Sequence, residues 1–162
     1  MSSPSSRVRR CRHVRSRTRR DPRRRARESA LQILYQWEVG RREVDGAADT
    51  FFDQQWPDRE PPSDEVRRFA STLARDTVRQ LETIDPLIAD TTERWRPERM
   101  ALIDRLILRM AICELMRGGE TAGNAPPAVV INEALELART FSSEESVKFI
   151  NGMLDAIRKK LK

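Results

Sequence analysis

Residues 142–161 read SSEESVKFINGMLDAIRKKL, and this stretch decides the fold class. Val147, Ile150, Leu154, Ile157 and Leu161 step by three and four residues, which places them on one face of an α-helix; a half-buried strand would alternate with period two. Ser142 followed three residues later by Glu145 has capping-box spacing and predicts that this helix starts there. The same grammar extends upstream. Pro126-Pro127 opens a helix carrying Val130, Ile131, Ala134, Leu135 and Ala138. Before it, Arg96-Pro97 introduces a segment in which Leu102, Leu106, Ile107, Met110, Ile112 and Leu115 surround most of the helical circumference, as a central helix buried by several neighbours requires. Gly118-Gly119 ends that segment.

The first half follows suit. Pro22 suits a first helical position after Asp21, and Ala30, Ile33, Leu34 and Trp37 recur at helical spacing, predicting a helix over 22–42. Ala47–Trp56 reads as a short helix stopped by Pro57. Pro61-Pro62-Ser63 opens a longer one with a stripe of Val66, Phe69, Leu73, Val78 and Leu81. Asp85-Pro86 reads as a restart into a short helix reaching about Arg94. With no alternating run, hairpin dipeptide or internal repeat, the expectation is an all-α fold of about seven helices packed as antiparallel neighbours.

Charge divides the 162-residue chain unevenly. Residues 1–27 hold twelve arginines against the single acid Asp21, a net +11, so the remainder carries −5 within the overall +6. Residues 1–20 contain Ser, Arg and almost nothing apolar, and are expected to be a disordered basic arm, or else a misassigned start, ahead of one helical domain over 21–162. A cationic segment on an acidic body points to a polyanion, with nucleic acid before a membrane surface. The longest apolar candidate, Leu102–Met116, is interrupted by Asp104, Arg105, Arg109 and Glu114, which excludes a membrane span. The N-terminus lacks the apolar stretch of a secretory signal. Cys11 and Cys113 suggest neither a disulfide framework nor a metal spacing, so a reducing, cytoplasmic setting is expected.

Catalytic chemistry finds little to work with. The only histidine, His13, falls in the arm, and Cys113 sits between Ile112 and Glu114 on the most apolar helix, a structural setting. Gly118, Gly119 and Gly123 lead to two prolines and not to a phosphate-binding helix start. Glu133 with Glu136, and Glu144 with Glu145, read as solvated faces or helix-start acids. No enzyme activity, cofactor or metal is expected. By contrast, Arg23-Arg24-Arg25-Ala26-Arg27 stands at a helix start, where cations oppose the macrodipole; binding of a polyanion explains their presence better than solubility does.

Three ordered segments together resemble the NusB family of transcription antitermination and ribosomal RNA biogenesis factors. The first is Arg23-Arg24-Arg25-Ala26-Arg27-Glu28 with Ala30-Leu31-Gln32, Leu34-Tyr35 and Trp37. The second is Leu108-Arg109-Met110-Ala111 with Glu114-Leu115; the third runs from Val130-Ile131-Asn132-Glu133-Ala134 through Glu136-Leu137-Ala138 to Lys148-Phe149-Ile150-Asn151-Gly152-Met153-Leu154-Asp155. The resemblance covers residues 22–160 and implies two packed helical bundles and no catalysis. It further implies binding of the boxA element of single-stranded nascent RNA, in company with the small-subunit ribosomal protein NusE. Such a complex joins other Nus factors on the RNA polymerase elongation complex and suppresses premature termination on ribosomal RNA operons. The family also includes homodimers that cover the RNA face, which leaves the oligomeric state of this chain open.

By position, the resemblance assigns Arg23, Arg24, Arg25 and Arg27 to RNA contact, and places Phe141, Glu145, Ser146, Lys148, Phe149 and Asn151 beside the RNA path. Phe149 also lies in an apolar stripe, which suits a core residue as well as a stacking platform, and Asn151 and Asn132 also suit helix capping. Tyr35 and Asp104 fall at the ribosomal-protein interface; Arg109 suits a buried ion pair as well as an RNA contact. The arm 1–20, the Trp56–Pro62 insertion and the Gly118–Pro127 loop depart from the family pattern. Two alternatives remain: an RNA-binding domain related to those of ribosomal RNA cytosine methyltransferases, and a nonspecific RNA-coating protein.

Overall fold

The computed structural model describes residues 22–54, 60–92, 100–118 and 125–161. These form seven α-helices and no strand: α1 (Pro22–Gly40), α2 (Val44–Phe52), α3 (Asp64–Arg79), α4 (Leu81–Thr91), α5 (Leu102–Met116), α6 (Pro127–Phe141) and α7 (Glu144–Lys160). The arm 1–20, the cap expected at Asp21, Pro57, Arg94 and Arg96-Pro97 lie outside the described residues.

The core is organised around α5. Every residue from Leu106 to Glu114 is buried, so the helix has no solvent face along this run. Helix α1 packs on α2, α3 and α5, and α3 also packs on α5; on the other side α6, α7 and α4 pack on the same helix. Two bundles therefore share α5 as a common wall. Ile33, Leu34 and Leu73 fill the first bundle, while Ile84, Ile88, Ile150, Leu154 and Ile157 fill the second. Each fully buried aliphatic side chain contributes about 1.5–3 kcal/mol relative to exposure.

Several predicted boundaries are corrected: α1 stops at Gly40 and not at 42, and α2 runs Val44–Phe52 where Ala47–Trp56 was expected. The break between α3 and α4 falls at Gln80, and Pro86 lies inside α4. The apolar stripe runs on through Leu81, Ile84 and Ile88, so periodicity gives no sign of the bend. Pro86 removes one hydrogen bond to the carbonyl of Glu82, an exposed residue. At the other end, α7 is capped by Ser143, whose Oγ accepts from Ser146 N–H at 3.1 Å; Ser142 is engaged elsewhere. Gly118 does end α5, with φ +58°, the left-handed conformation that glycine adopts without strain.

Candidate nucleic-acid interface

The arginine run at the start of α1 is sorted by helix geometry into different environments. Ala26 and Ala30, one turn apart, face the core and carry Arg27 with them. Arg27 is buried, and its Nε and Nη2 donate to Glu114 Oε1 and Oε2 at 2.8 and 2.9 Å while the guanidinium lies 5.4 Å from the centre of the Phe69 ring. Arg27, expected among the RNA contacts, is thus placed inside the first bundle in a bidentate pair, with 5% of its side chain exposed. Arg23 is exposed. Arg24, partly exposed, donates from Nε and Nη2 to Glu133 on α6, both at 3.0 Å. Arg25 donates to the Glu60 carbonyl at 2.5 Å.

A cleft of about 150 Å³ separates α1 from α6, lined by Arg24, Glu28, Glu133, Glu136, Leu137 and Thr140. Along α6 it runs from Glu133 to Thr140, about 10 Å of helix. It ends one residue short of Phe141, where the chain turns into α7. The cleft thus sets Arg24 of α1 beside α6 residues more than a hundred positions away in sequence, on the side that leads to the α6–α7 corner.

That corner is held from below by Asp104 of α5. Its two carboxylate oxygens accept from Ser142 Oγ at 2.6 Å and Ser146 Oγ at 2.5 Å. Asp104, expected at a protein interface, is placed under the corner, buried and bonded to two serines. Ser146, likewise expected beside RNA, spends its hydroxyl on Asp104. Above this support Glu145, Lys148 and Asn151 are exposed on α7, and Phe141 is 40% exposed. Phe149 packs, half-buried, against the core.

Tyr35 stands apart on α1, 43% exposed, with Val39 exposed one turn further on. It is about 17 Å along the helix from Arg24. Beside this stretch, Arg109 donates to both oxygens of Asp85 at 2.9 Å, so of its two readings the ion pair is the one formed. The pairing of Arg24 with Glu133 was missed by sequence reasoning, since nothing local relates residues 109 positions apart.

Among the described residues no group of three or more His, Cys, Asp or Glu side chains could hold a metal ion. Cys113 is fully buried, and burial pushes its thiol pKa above the ordinary 9.0 against a hydrogen bond to Thr77 that lowers it. No described helix is long and apolar enough to cross a membrane.

Among the described residues, seven helices in two bundles that share α5 as a wall, with a cationic helix start beside a cleft on α6, define an all-α protein. Comparison with known proteins gives this class its family. A profile of the NusB family matches residues 24–159, and the chain belongs to that family. It is 46% identical over 139 residues to the transcription antitermination protein NusB of Solibacter usitatus, covering 86% of this chain and 90% of the relative. The protein of the same name from Koribacter versatilis is 47% identical with the same coverage. A structure of T. maritima NusB superposes with a TM-score of 0.74 at 31% identity, covering 86% of this chain and 92% of that one. A crystal structure of antitermination factors NusB and NusE in complex with dsRNA shares the fold at a TM-score of 0.72 and 24% identity, covering 86% and 97%.

Proposed function

We propose that this protein is a transcription antitermination factor that binds boxA-type single-stranded RNA of nascent ribosomal transcripts together with NusE, acting by binding and not by catalysis. The observation that carries the reading is the α1–α6 cleft, which Arg24 of the helix start lines together with the α6 residues Glu133, Glu136, Leu137 and Thr140 that lead toward the α6–α7 corner. Family membership and the name shared by relatives at 46–47% identity support it, and a relative of the same fold occurs with NusE and RNA. Arg23, Arg24 and Arg25 position phosphates; Phe141, Glu145, Lys148 and Asn151 supply the limited base and sugar recognition of a single-strand binder, with the half-buried Phe149 edge behind them. Tyr35, with its apolar ring and polar tip exposed, is the contact for NusE. The complex works in the cytoplasm on RNA polymerase, beside other Nus factors. One helical domain over residues 21–162 carries the specificity, and the arm 1–20 adds nonspecific attraction.

The test is fluorescence anisotropy of labelled boxA RNA and a scrambled control at about 0.15 M salt, where exposed charges are screened beyond about 8 Å, with and without NusE. Preference for boxA that strengthens with NusE is the expected result. Equal binding to both RNAs, unaffected by NusE, identifies a nonspecific RNA-coating protein instead. Residues 1–20 hold eight arginines and no acid, so their deletion takes the net charge from +6 to −2. Discrimination between the two RNAs survives that deletion if the specific contacts lie on the folded body.

A further inference from the structure

Gly152 is the ninth of seventeen residues in α7, in the interior of the helix, where glycine is among the least favourable residues. Nothing among the described residues requires it there. Its conformation is ordinary right-handed helix, and among the described residues a Cβ built on it would meet no atom within 4 Å. It is exposed, on the side of α7 away from the buried Ile150 and Leu154. Gly46 is equally open but is the third residue of α2, in the first turn, where the helical hydrogen bonds have not yet closed and a glycine costs less. An exposed glycine that weakens its own helix and relieves no contact among the described residues leaves room for a partner that comes closer than a side chain permits.

We infer that Gly152 is a point of close RNA approach, where a nucleotide lies flat against the bare backbone of α7. The inference rests on the RNA-binding reading above and names a contact within it. Glu145, Lys148, Gly152, Asp155 and Lys159 form one outward line along the helix, with Asn151 beside the glycine. Lys159 pairs with Asp155 at 3.2 Å, which offsets the acid nearest the glycine on its C-terminal side. Lys148, one turn before, offers a cation for a phosphate, and the Asn151 amide both donates and accepts, as an unstacked base edge or a ribose hydroxyl requires. A protein partner would call for an apolar centre, and this line is polar throughout.

The experiment compares the full chain with Gly152→Ala, Gly152→Leu and Gly46→Ala, reading thermal unfolding by circular dichroism and RNA affinity by anisotropy. Gly152→Ala is expected to raise Tm by about 2–4 °C, as glycine-to-alanine does inside a helix, while weakening RNA binding about tenfold. Gly152→Leu is expected to weaken it further, and Gly46→Ala to leave RNA affinity unchanged. Gly152→Ala that binds RNA like the parent overturns the inference. So does a loss seen only when NusE is present, which makes the line a protein contact. The parent chain decides the boxA reading separately: equal affinity for boxA and scrambled RNA, both weakened by Gly152→Ala, overturns that reading and upholds this inference. A parent that binds neither RNA overturns both.

Discussion

Arg27 and Glu114, 87 residues apart in sequence, meet inside the first bundle as a bidentate ion pair at 2.8 and 2.9 Å, with Phe69 against the guanidinium. Both side chains are at least 95% buried. Removing one partner strands the other charge in the interior, so Arg27→Ala and Glu114→Ala are each expected to cost about 3–5 kcal/mol in urea unfolding. Arg27→Lys fails similarly, since an ammonium lacks the planar fork. At a temperature where Arg27→Lys stays folded, its RNA affinity should lie within about twofold of the parent; a larger loss would return Arg27 to the RNA surface.

The pair between Arg24 and Glu133 is of another kind. Arg24 is 41% exposed, so solvent screens it and the pair contributes at most about 1 kcal/mol to stability. Glu133→Gln is expected to leave Tm nearly unchanged and to tighten RNA binding several-fold at low salt, by removing an acid from the cleft. Arg24→Gln should do the reverse. A Glu133→Gln variant with unaltered affinity between 50 and 300 mM salt would place the RNA elsewhere.

Asp104 holds the α6–α7 corner through two serine hydroxyls. Asp104→Ala leaves both without their acceptor and is expected to lower stability by about 1–3 kcal/mol. Amide hydrogen exchange should quicken at the start of α7. Asp104→Asn keeps one acceptor and should fall between the two; protection unchanged in Asp104→Ala would show that the corner stands without it.

The Cys113 thiol titrates at higher pH in the folded chain than in the unfolded one because burial disfavours the thiolate. Above the unfolded value the unfolded chain has released a proton that the folded chain keeps. The stability tied to Cys113 is thus complete below pH 9.0 and declines as pH rises further, through the raised folded pKa. Cys113→Ala should flatten that decline in unfolding measured from pH 8 to 10.5. A disulfide reagent should label Cys113 only on unfolding.

Tyr35 is exposed, and its truncation to Ala is expected to change stability by less than about 0.5 kcal/mol while weakening NusE binding by about 2 kcal/mol. Calorimetry with purified NusE checks this; unchanged affinity moves the protein interface off α1.

What the sequence made legible was whatever a single helix records about itself. The three-and-four spacing of Ile150, Leu154 and Ile157 and the all-round apolarity of Leu106–Ile112 are local patterns, and both elements stand where they were expected. The bend at Gln80 left no such mark, because the apolar stripe is continuous across it and Pro86 drew attention to the wrong residue. Nor do four arginines in five residues announce that one of them is core. Arg27 is distinguished from its neighbours only by sharing a face with Ala26 and Ala30, and its partner lies on another helix. Capping-box spacing pointed to Ser142, but its hydroxyl is claimed by Asp104 on another helix, and the cap falls to Ser143.

The shared wall α5 also sets an order of events during synthesis. Helices α1 to α3 enclose no finished core until α5 is made, and Arg27 stays without its counter-charge until residue 114 has been added, 87 residues later. At translation rates of about 5–20 residues per second, that is a delay of roughly 4–17 s. Throughout it the nascent N-terminal half displays a full set of arginines and an uncovered apolar face. The last-formed part of the first bundle is thus also a wall of the second, so the first bundle closes when α5 is made and the second only once α6 and α7 have followed.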